Sequence, residues 1–155
     1  MSRNSQSTNL AENRRARFDY DILETYEAGL ELSGQEVKSA KEGKMQIVGS
    51  YAILRGGEVW LVNSVIPPYQ PSNAPPNYEP GRRRRLLLRK AEIKKLSGRL
   101  QEKGLFLLPL RVYLRRRFIK VELGLGRRRH KRDQREVLKK RTAAREIRKG
   151  KIHQQ

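Results

Sequence analysis

Hydrophobic and polar residues alternate with a period of two along much of the first 125 residues, and this pattern predicts a protein built mainly from β-strands. The first alternating segment begins at Phe18, loses its phase near Glu24, and regains it at Tyr26. It ends at Leu32, and Gly29 marks a further point at which the strand is expected to bend or bulge.

Two apolar segments around Gly56-Gly57 predict a β-hairpin. Residues 50–54 and 58–63 flank the glycines, and a type I′ turn needs a positive φ at both of its central residues. Both faces of this hairpin are apolar, so one is expected to fill a barrel interior and the other to lie under a helix. The predicted faces are Tyr51, Ile53, Val59 and Leu61 on one side, and Ala52, Leu54, Trp60 and Val62 on the other.

Residues 105–114 and 118–123 predict a second strand pair, joined through Arg115-Arg116-Arg117. Pro109 cannot donate a hydrogen bond to a neighbouring strand, so it marks an edge or a bulge. One face of the first strand is predicted to carry Phe106, Leu108, Leu110, Val112 and Leu114, which Ile119, Val121 and Leu123 of the second strand face.

Two helices and one long loop complete the pattern. Ser33 to Glu36 form a capping box, so a short helix is predicted over residues 34–42, with Gly43 as its left-handed end. Residues 67–81 hold six of the seven prolines and predict an extended loop. The basic run that follows is predicted to lead through three leucines into an amphipathic helix that ends before Gly104.

Together these elements predict a mainly β fold, a small closed OB-fold-like barrel with flanking helices. We expect the barrel to span residues 13–125. Residues 1–12 are rich in Ser, Asn and Gln and are expected to be disordered. Residues 126–155 form a basic C-terminal tail, which is expected to be disordered when the protein is free.

Charge separates this tail from the barrel. The chain has 36 Lys and Arg against 16 Asp and Glu, a net charge of +20. Residues 127–155 contain thirteen of the basic and three of the acidic residues, which is half of the net charge. When it is alone, a segment this polar cannot bury enough apolar surface to offset the conformational entropy that it would lose on ordering. We expect it to become ordered on a polyanion. Nucleic acid is the first candidate partner and an anionic membrane surface the second.

Composition argues against several other classes of protein. With no cysteine the chain has neither a disulfide framework nor a Cys-ligated zinc site, and we expect no cofactor. The only histidines, His130 and His153, lie in the tail, and no glycine-rich phosphate motif follows a strand, so we predict that the protein is not an enzyme. No apolar run approaches the roughly 18–20 residues that span a bilayer, and the N-terminal residues lack the apolar centre of a signal peptide. We therefore expect a cytoplasmic protein without a membrane partner.

Basic clusters give the strongest indication of a partner. Four occur in the barrel, at residues 14–17, 38–44, 82–90 and 111–120. A single cluster is usually only a solvated face, but four of them with a basic tail favour polyphosphate binding. Arginine supports bidentate phosphate contacts and stacking on bases. The basic residues predicted from these clusters to bind RNA are Lys38, Lys41, Arg82, Arg84 and Arg85.

Four other side chains have two interpretations each. Glu27 is either the ion-pair partner of a neighbouring Arg or Lys, or an acceptor for the amino group of a nucleobase in an RNA loop. Leu87 is either a core residue or an exposed side chain between two arginines, where it packs on a splayed base. Tyr69 and Tyr78 either stack on RNA or hold the proline-rich loop in place.

Asp133 to Glu136 predict the start of a helix in the tail, with the aspartate as N-cap and the glutamate at the third helical position. Val137, Ala144 and Ile147 recur at roughly helical spacing, but this stripe is too thin to fold by itself. Such a helix suits a channel walled by RNA. The alternative is a tail that only raises non-specific affinity.

Seven stretches of the chain together form a recognisable pattern. They are Asn13-Arg14-Arg15-Ala16-Arg17, Tyr26-Glu27-Ala28-Gly29-Leu30, Gly34-Gln35-Glu36-Val37-Lys38-Ser39, Ser50-Tyr51, residues 80–88, Glu92-Ile93 and Lys120-Val121-Glu122. In this order and at these spacings they resemble the small protein B family of bacteria, which binds transfer-messenger RNA (SsrA). The resemblance covers about residues 13–155.

The resemblance implies an OB-fold-like barrel that binds the tRNA-like domain of transfer-messenger RNA and delivers it to stalled ribosomes for trans-translation, which rescues the ribosome and tags the peptide. Glu27, Leu87 and Lys120 are the implied contacts with that domain. The tail is implied to enter the empty messenger channel of the 70S ribosome as a helix, near the decoding centre. Its implied ribosome-contacting residues are Arg132, Asp133, Gln134, Arg135, Lys139, Lys140 and Arg141.

Two questions stay open at this level. The resemblance does not decide whether the elongation factor that carries tRNA touches the protein directly. The alternative function is that of a structural ribosomal RNA-binding protein, since such proteins combine small barrels with basic tails in the same way.

Overall fold

The computed structural model describes residues 7–130, 134–136 and 138–142. Within residues 7–130 the chain forms seven strands and three α-helices. The strands are β1 Ser7–Glu12, β2 Tyr20–Leu30, β3 Tyr51–Arg55, β4 Glu58–Val62, β5 Arg84–Leu87, β6 Leu105–Arg115 and β7 Phe118–Arg128. The helices are α1 Arg14–Asp19, α2 Gly34–Lys41 and α3 Lys90–Arg99.

Six of these strands close into an antiparallel barrel. Hydrogen-bonded neighbours follow the order β6-β3-β4-β5-β2-β7, and β7 pairs again with β6, so the circuit is complete. Strand β1 lies outside this circuit and pairs with the C-terminal half of β6. The predicted fold class, a mainly β closed barrel of the OB-fold-like kind with flanking helices, is confirmed.

Residues 7–12 form a strand, so the predicted disordered segment is wrong over this range. Strand β1 pairs with β6 from Ser7 opposite Arg115 to Glu12 opposite Arg111. Its sequence is too polar to predict a strand by itself. The edge with which it pairs is supplied by residues about a hundred positions away. Residues 1–6 lie outside the described part of the chain.

The first predicted hairpin is confirmed, but its faces were assigned wrongly. Gly56 and Gly57 have φ values of +63° and +75°, as the tight turn requires. Across that turn Ala52 lies opposite Leu61, and Leu54 lies opposite Val59. Residues that pair directly share a face of the sheet. The interior face is therefore Ala52, Leu54, Val59 and Leu61, and the outer face is Tyr51, Ile53, Trp60 and Val62.

The second hairpin is confirmed, and its predicted irregularity lies where Pro109 indicated. The register between β6 and β7 shifts between Pro109 and Arg111. This bulge exchanges the two faces of β6, because one extra residue reverses the alternation. Leu107 before the bulge and Val112 after it both point into the main core, so the single face predicted for this strand is wrong. Leu108 and Leu110 pack instead against helix α1 in a second, smaller cluster.

Strand β5 was not predicted. The run of arginines and leucines hides an alternation in which Arg84 and Leu86 are buried while Arg85 and Leu87 are not. Leu86 packs inside the barrel between β4 and β2, opposite Val59 and Leu30. The amphipathic helix consequently begins only at Lys90, after the barrel wall has been completed.

The helices agree more closely with the prediction. Ser33 caps α2 by accepting the backbone N–H of Glu36, and the Glu36 carboxylate accepts the backbone N–H of Ser33, so both bonds of the capping box are present. Gly43 follows the helix with φ +78°. Ala40 of α2 and Leu96 of α3 are fully buried in the barrel core. One helix that was not predicted, α1, displaces the expected start of β2 to Tyr20.

The phase break in β2 is a bulge between Ile22 and Glu24, opposite Gly124 to Gly126 of β7. No register shift occurs at Gly29, so of the bend or bulge expected there, the bulge is excluded. Strand β7 continues to Arg128, so the barrel ends beyond the predicted boundary at residue 125.

Gly126 is expected to tolerate no side chain at this bulge. A Cβ atom there would lie 2.8 Å from the Asp21 carbonyl oxygen and 3.0 Å from Ile22 Cδ1. We expect Gly126→Ala to lower the free energy of unfolding by about 1–3 kcal/mol, because the backbone must shift to relieve the overlap. Urea denaturation measures this change.

Gly98 provides the matched control. It lies within α3, and a Cβ atom there would meet nothing within 4 Å. Gly98→Ala is expected to leave stability unchanged or to raise it by about 0.4–1 kcal/mol. Equal midpoints for the two variants would contradict the proposed overlap at Gly126.

Candidate nucleic-acid interface

The three side chains implied by the family resemblance line one groove on the outer face of the barrel. Gly29 of β2 lies directly opposite Leu87 of β5 on one side and Lys120 of β7 on the other. Glu27 lies two residues before Gly29 in β2 and therefore on the same face of the sheet. Together with Leu88, Arg89 and Glu92 these four residues surround a cavity of about 330 Å³, called the β5–β7 groove below.

Gly29 leaves the floor of the β5–β7 groove open. A Cβ atom at this position would lie 3.3 Å from Leu87 Cβ, which is tighter than ordinary contact. Without it the backbone of β2 is accessible between the apolar side chain of Leu87 and the cationic side chain of Lys120. The groove thus combines an apolar wall, a cationic wall and an accessible backbone.

Glu27 supplies a carboxylate at one end of the groove. The Tyr113 hydroxyl donates to Glu27 Oε2, and Arg115 Nη1 donates to both carboxylate oxygens at 3.1 and 3.2 Å. The Tyr113 hydrogen bond, followed by the positive charges of Arg115 and Lys120, holds the pKa of Glu27 below its ordinary value. The ion-pair interpretation is therefore confirmed. The carboxylate is still 40% exposed, so it can also accept a hydrogen bond from a ligand.

Leu87 is a surface residue. Its side chain is 45% exposed, although its neighbour Leu86 is buried. The core interpretation of Leu87 is wrong, because alternation along β5 points it away from the barrel interior. An exposed leucine beside arginines is suited to pack against the face of an unpaired base.

The proline-rich loop is held against the barrel by Tyr78, whose hydroxyl donates to the Ile66 carbonyl at 2.8 Å. Tyr69 lies between two lysines of the α2 region, with Lys38 Nζ 5.7 Å and Lys44 Nζ 5.8 Å from its ring centroid. Lys38 and Lys41 are both exposed. These lysines stay predicted RNA contacts.

Arg84 is not available for an RNA contact, and this prediction is corrected. Its side chain is fully buried and donates to Glu36 Oε2 at 2.8 Å, to Ser64, and to the Pro80 carbonyl at 2.9 Å. It joins β5 to α2 and to the loop before β5. The prediction failed because consecutive residues of a strand point to opposite sides, so a run of four arginines cannot be exposed throughout.

Arg82 and Arg85 differ from it. Arg82 is partly exposed and donates to the same Glu36 carboxylate as Arg84. Arg85 lies on the outer face of β5 with its side chain 42% exposed, and its Nη2 atom lies 2.9 Å from Glu58 Oε1. Both stay predicted RNA contacts.

The described residues include only some of the tail residues that were predicted to contact the ribosome. Arg132 and Asp133 lie outside the described residues. Gln134 and Arg135 are helical, as is the segment 138–142 that contains Lys139, Lys140 and Arg141. Gln134 Nε2 donates to Asp19 Oδ1 of α1 at 3.1 Å, and the Arg141 guanidinium lies 6.0 Å from the Phe18 ring centroid. Two of the described tail residues, Gln134 and Arg141, therefore lie against α1.

Tyr113 and Arg115 were not identified from the sequence. They orient Glu27 from 86 and 88 residues away. Arg111 extends this group, with its guanidinium 4.1 Å from the Tyr113 ring centroid. No local pattern indicates these contacts, because they arise only when β6 and β2 pair on either side of β7.

Two further observations concern the described residues alone. They contain no group of three or more His, Cys, Asp or Glu placed to hold a metal ion. None of their helices combines the length and apolar character needed to cross a membrane.

These features define a class: a closed OB-fold-like barrel whose outer face carries a groove with apolar, cationic and carboxylate walls, as in nucleic-acid-binding barrels. The family model described as SmpB protein matches residues 10–153. The chain belongs to the SmpB protein family.

Several relatives agree with this assignment. The SsrA-binding protein of Nostoc punctiforme is 49% identical over 138 residues, which cover 89% of each chain. That of Trichormus variabilis is 47% identical over 148 residues, covering 95% of this chain and 96% of the relative. A chain in a solved structure described as "tmRNA-SmpB: a journey to the center of the bacterial ribosome" is 46% identical with a TM-score of 0.64, covering 82% of this chain and 92% of that one.

A charge placed on the apolar wall of the β5–β7 groove is expected to weaken RNA binding. We expect Leu87→Asp to reduce affinity for RNA by about 10- to 100-fold, because the new carboxylate repels phosphate and removes the apolar contact with a base. The barrel should stay folded, since Leu87 is a surface side chain. Filter binding of the purified variant measures the change.

Val48→Asp is the matched control, because it places the same carboxylate on a more exposed apolar residue (63%) that does not line the groove. We expect it to bind RNA within about twofold of the unmodified protein. Equal losses for the two variants would show that net charge, and not the groove, determines affinity.

Proposed function

We propose that this protein binds the tRNA-like domain of transfer-messenger RNA through the β5–β7 groove and delivers that RNA to stalled ribosomes for trans-translation. The observation that supports this most directly is the convergence of Glu27, Leu87 and Lys120 on one groove. These residues come from three strands, and the resemblance alone implied their common role. The relatives named SsrA-binding protein supply the identity of the RNA.

Each wall of the groove has a role in this proposal. Lys120 neutralises a phosphate, Leu87 packs on an unpaired base, and Glu27 accepts a hydrogen bond from an exocyclic amino group. The exposed lysines of α2, Lys38 and Lys41, together with Arg82 and Arg85, extend the positive surface. The protein acts by binding and positioning RNA, without catalysing a reaction, and works in the cytoplasm.

The tail has a separate role in this proposal. Beyond His130 the basic segment enters the empty messenger channel of the ribosome as a helix and reaches the decoding centre. Arg132, Asp133, Gln134 and Arg135 contact ribosomal RNA there, and Lys139, Lys140 and Arg141 follow along the channel. The charge distribution supports the division into a barrel that binds one RNA and a tail that reaches another.

Competition binding tests the proposed RNA. A labelled tRNA-like transcript is titrated with the full-length protein in the presence of excess duplex DNA. We expect the transcript to stay bound, and its affinity to fall by roughly 10³–10⁵ between 50 and 200 mM salt if six to ten phosphates are contacted. Equal affinity for the transcript and the DNA would overturn the proposal.

The alternative function, a structural ribosomal protein, makes a different prediction about ribosomes. Such a protein should purify with every ribosome in stoichiometric amount. A rescue factor should be substoichiometric and enriched on ribosomes stalled at the end of a truncated message. Quantitative mass spectrometry of the two ribosome populations distinguishes them.

A further inference from the structure

An aromatic and arginine-rich patch continues the β5–β7 groove across the outer face of the barrel. Trp60 of β4 lies directly opposite Arg85 of β5, and Arg85 is two residues before Leu87 on the same face. On its other side Trp60 lies opposite Ile53 of β3. The patch is therefore continuous with the apolar wall of the groove.

Arg83 is held against this tryptophan. Its guanidinium carbon lies 4.6 Å from the centre of the Trp60 ring, and the side chain is exposed. Its neighbours in sequence bind acids: Arg82 and Arg84 contact Glu36, and Arg85 contacts Glu58. Arg83 forms no ion pair with any acid in the part of the chain that the structure describes.

This arrangement leaves one face of the guanidinium available. A guanidinium stacked on an indole still presents its opposite planar face to solvent, and its N–H groups stay free to donate at the edges. Unpaired bases stack on such planes, and phosphate oxygens accept from such donors. Because Trp60 already restricts Arg83, less side-chain entropy is lost when a ligand binds.

We propose that Trp60 and Arg83 form a second RNA subsite beside the β5–β7 groove, in which one unpaired base stacks on the Arg83 guanidinium. This inference rests on the proposed function, since it assigns a further contact with the same RNA. The nucleotide bound here is adjacent to the one that contacts Leu87. Arg85 lies between the two positions and binds the phosphate that joins them.

Trp60 is the only tryptophan in the chain, so its fluorescence reports on this patch alone. The full-length protein is titrated with a tRNA-like transcript while tryptophan emission and filter binding are followed in parallel. We expect emission to change and to saturate at the RNA concentration at which filter binding saturates. Binding without any change in emission would overturn the subsite.

Two substitutions separate stacking from charge. Arg83→Ala is expected to weaken binding by about tenfold, the usual scale for one stacked base. Arg83→Lys keeps the charge but lacks the planar group, so it should recover less than half of that loss on a logarithmic scale. Arg55→Ala, at the exposed end of β3, is the control and should bind within about twofold of the unmodified protein.

The outcomes distinguish the two levels of the proposal. If the unmodified protein does not prefer the transcript over duplex DNA, the proposed function itself fails. If it does, but Arg83→Ala binds normally or Arg83→Lys restores full affinity, only the stacking subsite is overturned. Thermal melts monitored by circular dichroism establish that each variant is folded, which is expected because Arg83 and Arg55 are exposed.

Discussion

Replacing Glu36 with alanine is expected to destabilise the protein by about 3–5 kcal/mol, a larger loss than the one expected for Gly126→Ala. The Glu36 side chain is 2% exposed and contacts the fully buried guanidinium of Arg84 at 2.8 Å. Without the carboxylate, Arg84 would be a buried cation with no counter-charge. The same carboxylate also accepts the backbone N–H of Ser33 at 2.8 Å, so the variant loses one of the two hydrogen bonds of the α2 capping box as well.

Urea denaturation measures this loss, and Glu58→Ala provides the matched control. Glu58 forms an ion pair of nearly the same length with Arg85, at 2.9 Å, but both side chains are about 40% exposed. Exposed pairs contribute about 0–1 kcal/mol, so this control should unfold close to the unmodified protein. If both variants lost the same small amount, burial of the Glu36–Arg84 pair would have no energetic consequence.

The same carboxylate predicts a dependence of stability on pH. Burial by itself would raise the pKa of Glu36, but the hydrogen bonds from Arg82 and the Ser33 backbone and the charge of Arg84 outweigh it and hold the pKa below its ordinary value of 4.5. The unfolded chain therefore takes up this proton first as the pH falls. The stabilisation is complete above about pH 4.5 and is lost as the pH falls through the lower pKa of the folded state. Glu36→Gln should flatten this part of the curve.

Ending the chain after His130 is expected to abolish tagging of stalled peptides while retaining binding of transfer-messenger RNA. This position preserves the barrel, because β7 extends to Arg128 and the Arg129 backbone N–H donates to the Asp19 carbonyl at 2.8 Å. An end after Gly126 would remove the last two residues of β7. The deleted residues, 131–155, contain ten basic and three acidic residues, so RNA affinity should fall modestly and with a reduced salt dependence.

A full-length variant with the residues after His130 in scrambled order tests whether the tail acts only through charge. It keeps the composition and net charge but loses the predicted helix and its N-terminal cap. We expect it to fail in a reconstituted tagging assay on ribosomes stalled at a truncated message, as the shortened chain does. Normal tagging by the scrambled variant would favour the alternative that the tail only raises non-specific affinity.

The features predicted correctly depend on short segments of the chain. The capping box of α2, the Gly56-Gly57 turn and the bulge near Pro109 each follow from a few neighbouring residues that have few conformations available to them. The closed barrel was predictable because period-two alternation requires two-sided strands with one buried face. Strands β1 and β5 were missed because polar or uniformly basic residues conceal that alternation.

Site residues were predictable to a different degree. The basic clusters indicated a polyanion-binding surface, but they could not separate Arg83, Arg84 and Arg85, which have the same chemistry in the sequence. Alternation along the chain points Arg84 inward and Arg83 and Arg85 outward. Partners far away in the sequence then define the role of each arginine. Glu36 buries Arg84 from 48 residues away, and Trp60 supports Arg83 on the outer face.

Local conformational preference and composition were enough to specify the mainly β barrel, the position of its tight turns and capped helix, and the separation of charge between barrel and tail. The folded chain was needed to show that Glu27, Leu87 and Lys120 share one groove, that Arg84 is buried in the interior, and that the Arg83 guanidinium lies over the Trp60 ring. Strand register brings these residues together, and register is set by how the whole barrel closes around its core.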